Sequence, residues 1–107
     1  MASDVESSSD VQPSYQVVLT DEAVYAYTEV RPAVIYERTG ILISQLSMYP
    51  YYGRVYDPSY TAALPNVTSR VLYCGNYGVY YHVSEERQVV TVFAIEDQRR
   101  DPLARFV

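Results

Sequence analysis

The spacing of apolar and polar positions changes several times along the chain, and each change predicts an element. In YQVVLT, residues 15–20, Tyr15, Val17 and Leu19 alternate with Gln16 and Val18, which is the period of a short β-strand. Thr20 ends that period. It is suited to an N-cap, and Asp21 and Glu22 put negative charge in a first helical turn, where the helix dipole favours it. Ala23, Ala26, Tyr27 and Val30 then recur at helical spacing, until Pro32 disfavours helical geometry at Arg31. A second helix is expected to start at Pro32, with Ile35, Leu42, Leu46 and Tyr49 on one face. Gly40 inside it costs about 1 kcal/mol relative to alanine.

The next stretch, MYPYYGRVYDPSYTAALP (48–65), has three prolines and five tyrosines and no sustained period, so it is expected to be a long ordered loop. Three strand-like runs follow: SRVLYC (69–74), YGVYYHV (77–83) and QVVTVFAIE (88–96). Gly75-Asn76 and Ser84–Arg87 separate them, which suits two hairpins in an antiparallel meander. In the middle run Tyr77, Val79, Tyr81 and Val83 fall on one face, Tyr80 and His82 on the other. The predicted order gives an α+β fold: an N-terminal strand, a two-helix pair, then a three-stranded antiparallel meander, all in one twisted sheet.

Length and composition agree with a single domain. The chain has 107 residues, 49% hydrophobic and 20% charged, enough apolar material for one core. Residues 1–14 are rich in Ser and Asp and hold no large apolar residue beyond Val5 and Val11, so they are expected to form a flexible tail before a domain at 15–107. Eight basic residues, all arginine, face thirteen acidic ones. Asp4, Glu6 and Asp10 lie in the tail, leaving ten acids against eight arginines from residue 14 onward, a net of −2. That balance argues against nucleic-acid binding by bulk attraction, and any such contact would need a local arginine cluster. One cysteine, Cys74, and one histidine, His82, supply neither an intrachain disulfide nor a usual zinc site, so no metal or cofactor is expected. With no secretory signal at the start and no apolar run near 18–20 residues, a cytoplasmic location away from membranes is expected.

Three segments, in this order, carry a family resemblance. They are the opening strand running into TDEA, the second helix ending in LSMYPYYGR, and RVLYCGNYGVYYHVSEERQVVTVFAIEDQRRDP. Leu46, Pro50, Gly53 and Arg54 at the helix end, Arg70 entering a strand, a hairpin with Tyr77, Tyr80 and Tyr81, and a final strand closing on Arg100-Asp101 resemble the RelE/ParE superfamily of small bacterial toxins, over residues 15–103. The resemblance implies a type II toxin–antitoxin component, often plasmid-stabilising, that is partnered by a cognate antitoxin. RelE-like members cut messenger RNA on the ribosome, without a metal; ParE-like members inhibit DNA gyrase.

Metal-free RNA cleavage requires a group that activates the ribose 2′-hydroxyl, a cation for the phosphate, and a proton donor for the leaving oxygen. The resemblance assigns catalytic positions to Arg70, Arg99 and Arg100, and a phosphate contact to Arg54. The competing reading has Arg54 and Arg70 solvated or paired with acids such as Asp57 and Glu96. Lysine is absent, and Glu96 and Asp97 stand where RelE-like enzymes carry a basic or imidazole group, so the sequence favours a ParE-like or other non-nucleolytic route over the ribonuclease. A binding module that has lost activity stays open, and with it whether the chain is an enzyme. His82 and Cys74 read as structural strand residues. The thirteen tyrosines are the unusual feature; Tyr51, Tyr52, Tyr56 and Tyr80 are candidates for contact with a protein partner or RNA bases, against a role in packing.

Overall fold

The computed structural model describes residues 14–56 and 68–99. Its elements are β1 (Gln16–Leu19), α1 (Asp21–Thr28), α2 (Ala33–Gln45), β2 (Arg54–Tyr56), β3 (Ser69–Cys74), β4 (Tyr77–Ser84) and β5 (Val89–Asp97). The α+β class and the order strand, helix pair, meander are as the sequence implies. The expected tail lies, up to residue 13, outside the described residues.

Thr20 caps α1 as predicted, its side chain accepting the Ala23 N–H at 3.2 Å, a contact worth about 1 kcal/mol. Ala23 from this helix and Val30, just beyond its C-cap, reach the core. Pro32, the expected start of α2, stands at its N-cap, and the helix begins one residue later, at Ala33. The α2 face differs from the prediction at its end. Leu46 is buried and Ile35 and Leu42 pack against the core, but Tyr49 lies beyond the helix and is 63% exposed, while Thr39 and Ile43 turn inward. Gly40 has a local reason: a Cβ there would stand 2.4 Å from the Tyr27 hydroxyl, whose ring stacks on Tyr36 at 4.5 Å.

The sheet has five strands in the order β1-β5-β4-β3-β2. Two features were not in the sequence reading. Part of the expected loop is an edge strand, β2, paired with β3 through Arg54↔Val71, Val55↔Arg70 and Tyr56↔Ser69. And β1 lies parallel to β5, Gln16 opposite Val89, so the sheet is mixed; the chain between these two strands runs through both helices and then β2, β3 and β4. The meander forms as expected, with turns at Gly75-Asn76 and after Ser84.

Partners across the ladders define two faces. Tyr77, Val79, Tyr81 and Val83 join the helices in the main core, with Leu72, Val90, Val92 and Ile95. Val71, Tyr80 and Ala94 form a second cluster on the opposite face, against Tyr56 and Phe93. In β5 the register steps between Tyr80↔Ala94 and Tyr81↔Val92, leaving Phe93 as the extra residue of a bulge, and Phe93 and Ala94 pack in the same second cluster.

The helix-end loop is tied to the sheet at Gly53. Its N–H donates to the buried Tyr81 hydroxyl at 2.8 Å, its carbonyl accepts from Arg70 Nη1 at 2.6 Å, and a Cβ would stand 2.7 Å from both the Tyr81 hydroxyl and the Val71 carbonyl. Tyr81→Phe leaves that N–H without a partner in a dry setting. It is expected to lower stability by about 1–3 kcal/mol, seen as a lower denaturant midpoint with an unchanged slope. An unchanged midpoint would show that the loop does not depend on this bond.

Candidate functional site

The assigned arginines do not converge. Arg70, on β3, pairs across the ladder with Tyr81 and therefore points to the helix side of the sheet. Arg54, on β2, pairs with Val71 and points to the other side, its guanidinium 6.0 Å from the centre of the exposed Tyr73 ring. Arg99 follows the far end of β5, where Asp97 pairs with Tyr77, so Arg70 is four residues of β4 away from that level, roughly 13 Å at ~3.3 Å per residue. Arg99 donates to the Asp97 carboxylate at 2.9 Å and 3.1 Å, and its side chain is 63% exposed. Arg100 lies outside the described residues.

Arg70 Nη1 is bound to backbone carbonyls. That nitrogen donates to the Gly53 carbonyl and, at 3.3 Å, to the Tyr51 carbonyl, and the guanidinium lies 4.9 Å over the Tyr51 ring. Planar cation, ring and two carbonyls make a single packed unit, which a lysine could not reproduce. The Tyr51 hydroxyl in turn donates to the Glu85 carboxylate, and that bond holds the phenol well above its ordinary pKa. Of the other tyrosines proposed for binding, Tyr52 is exposed, Tyr56 packs edge-on to Tyr80 at 5.0 Å, and Tyr80 is fully buried, so it offers no surface.

Arg70 does open onto a groove of about 610 Å³ at the end of β3 and β4, lined also by Tyr51, Thr68, His82, Val83, Ser84 and Glu86. This is the one place among the described residues where an assigned cation meets an imidazole and a carboxylate. The sequence favours a structural role for His82 over a catalytic one. It does have a packing role, stacking on Phe93 at 5.8 Å, but it lies two residues from the end of β4 and lines the groove as well. The signal for this was the hairpin register, which sets His82 opposite Ser69 at the start of β3. Burial holds the imidazole below its ordinary pKa and so favours its neutral form. Cys74 is buried and free. Among the described residues no group of three metal-ligating side chains occurs, and no helix is long and apolar enough to cross a membrane.

No protein-family model and no curated relative matches this sequence. Solved structures do. RelE in an archaeal RelE–RelB complex from Pyrococcus horikoshii superposes with a TM-score of 0.64 and 19% identity, covering 82% of this chain and 99% of that one. The Mycobacterium tuberculosis toxin–antitoxin complex RelBE2 gives 0.58 and 17%, over 81% and 94%. A mutant E. coli RelE toxin in the free state gives 0.57 and 15%, over 78% and 83%. The chain therefore has the fold of the RelE-type toxins, as its sequence motifs imply.

The lowered pKa of His82 has a thermodynamic consequence. The unfolded chain takes up a proton near pH 6.5, the folded one only at lower pH, so stability should fall as the solution is acidified below about 6.5 and level off below the folded value. His82→Gln should flatten that limb. Melting curves from pH 7.5 to 5 test it; an equal slope in both proteins would show that another group carries the dependence.

Proposed function

We propose that the chain is the toxin-like member of a toxin–antitoxin pair, bound and neutralised by a small cognate antitoxin in the bacterial cytoplasm. One observation carries this: the fold is shared, over most of both chains, with RelE proteins, two of them in toxin–antitoxin complexes. The reading of its action as non-nucleolytic, directed at gyrase in the manner of ParE or at another target, is supported by the scatter of its cations. Arg54 and Arg70 lie on opposite faces, Arg99 is neutralised by Asp97, and Glu85 and Glu86 flank the Arg70 groove. A phosphodiester would meet carboxylates beside its cation. Induction of this chain alone in a bacterium should slow growth, and co-expression of the small protein encoded beside it should restore growth. Undiminished growth at high soluble expression, with the pair still forming, would instead mark a binding module without toxicity.

The groove favours a second reading, ribosome-dependent and metal-free cleavage of messenger RNA. Glu86 would take the 2′-hydroxyl proton as that oxygen attacks phosphorus, Arg70 would hold the phosphoryl oxygens, and protonated His82 would give its proton to the departing 5′-oxygen. Since His82 is largely neutral at pH 7, such cleavage would speed up towards mild acid. Primer extension on a translated message separates the readings. No codon-phased cuts are expected; cuts that disappear in both Glu86→Gln and His82→Gln while the proteins melt normally would establish the nuclease.

A further inference from the structure

Tyr27 of α1 and Tyr36 of α2 lie face to face across the break between the helices, their ring centres 4.5 Å apart and their planes 10° from parallel. The packing fixes this arrangement. Tyr36 and Gly40 are about one helical turn apart and so share a face of α2. The Tyr27 ring lies along that face, stacked on Tyr36, with its hydroxyl over Gly40, where a Cβ would stand 2.4 Å from it. The glycine that costs the helix stability therefore seats the tyrosine.

The pair can be reached from solvent, since Tyr36 is 38% exposed and Tyr27 is half-buried. Burial, and after it the Tyr36 phenol, holds the Tyr27 phenol above its ordinary pKa, so at pH 7 it is neutral and keeps its proton until an electron is taken from the ring. When two phenoxyl radicals couple, the new bond forms along the π lobes, perpendicular to the ring planes. Parallel rings in contact meet that requirement. The Tyr56–Tyr80 pair, edge-on at 77°, does not.

We infer that Tyr27 and Tyr36 are a site of oxidative cross-linking, at which a haem peroxidase acting with hydrogen peroxide joins α1 to α2 through a dityrosine bond. Each phenol loses one electron and its hydroxyl proton. The peroxide takes up both electrons and both protons and leaves as water. A carbon–carbon bond forms between ring positions ortho to the two oxygens, and the hydrogens displaced from those carbons return to oxygen as protons, which restores both phenols. The inference does not rest on the toxin reading. Its consequence is a covalent clamp on the helix pair, and because Tyr27 also lines the groove of about 390 Å³ between β1 and α2, one wall of that groove is fixed with it.

The full-length chain, treated at low concentration with a haem peroxidase and hydrogen peroxide, tests it. A glutamyl endopeptidase cuts after Glu22, Glu29 and Glu37 and so places the two tyrosines on separate peptides, 23–29 and 30–37. Mass spectrometry should recover these peptides joined and lighter by two hydrogens, from protein that is still monomeric and shows dityrosine fluorescence. Tyr27→Phe and Tyr36→Phe should each abolish the joined species. Gly40→Ala keeps every tyrosine and puts a better helix former in α2, but it displaces the Tyr27 ring and should lower the yield several-fold. Exposure alone predicts a different pattern, since Tyr25, Tyr49 and Tyr52 are 71%, 63% and 64% exposed. Cross-links on those residues in place of the Tyr27–Tyr36 pair, cross-links only between chains, or an undiminished yield in Gly40→Ala would overturn the inference.

Discussion

The buried Tyr81 hydroxyl is the contact on which the placing of the other groups depends. It accepts the Gly53 N–H, while Arg70 donates to the carbonyl of the same residue. Burial pushes the Tyr81 phenol above its usual pKa, and the Gly53 bond and the Arg70 charge only partly oppose this, so it stays a neutral hydrogen-bonding group. Through that one glycine the loop is fastened, β2 is laid against β3, and Tyr51 is held beneath the Arg70 guanidinium. The glycine that helps to carry the family resemblance therefore has a steric cause, since the Tyr81 oxygen and the Val71 carbonyl leave no space for a side chain.

The same arrangement bears on function, because Arg70 serves two demands. Its Nη1 stabilises the loop, and its remaining surface opens onto the groove with His82 and Glu86. Loss of activity on removing this arginine would therefore confound folding with chemistry, which makes His82 and Glu86 the cleaner probes of the groove. Acidic groups surround the candidate cations on both ends of the sheet: Glu85 and Glu86 near Arg70, Asp97 on Arg99. A polyanion gains little from such a surface, whereas a protein partner able to match both signs loses nothing by it.

Much of the fold was legible in the sequence, for local reasons. The Thr20 cap, the first helix, the two hairpins and the two faces of β4 each follow from a cap residue, a turn dipeptide or an unbroken alternation, and all three kinds of signal act over a few residues. An edge strand and a bulge did not show. The edge strand at Arg54–Tyr56 is too short to establish a period and lies in a tyrosine-rich stretch. Its pairing depends on Arg70 and Tyr81, distant in sequence. The bulge at Phe93 is hidden because Val92–Ile95 is apolar throughout, so the shift of phase leaves no polar marker. Of the candidate site, Arg70 was found, but whether it turned to the helices or away from them depends on the β3–β4 register. Tyr80 reads from the sequence as a candidate for partner contact because alternation tells which side chains share a face, not whether that face is covered.

The parallel pairing of β1 with β5 joins residues 16–19 to 89–92, nearly the full length of the described chain. Such a contact closes a very long loop and is made late in folding. On a ribosome, the opening strand and α1 would emerge with their apolar sides unmatched, and would stay so until the last strand had cleared the exit tunnel. A nascent or prematurely ended chain thus lacks the strand against which β1 must pack until β5 has been made.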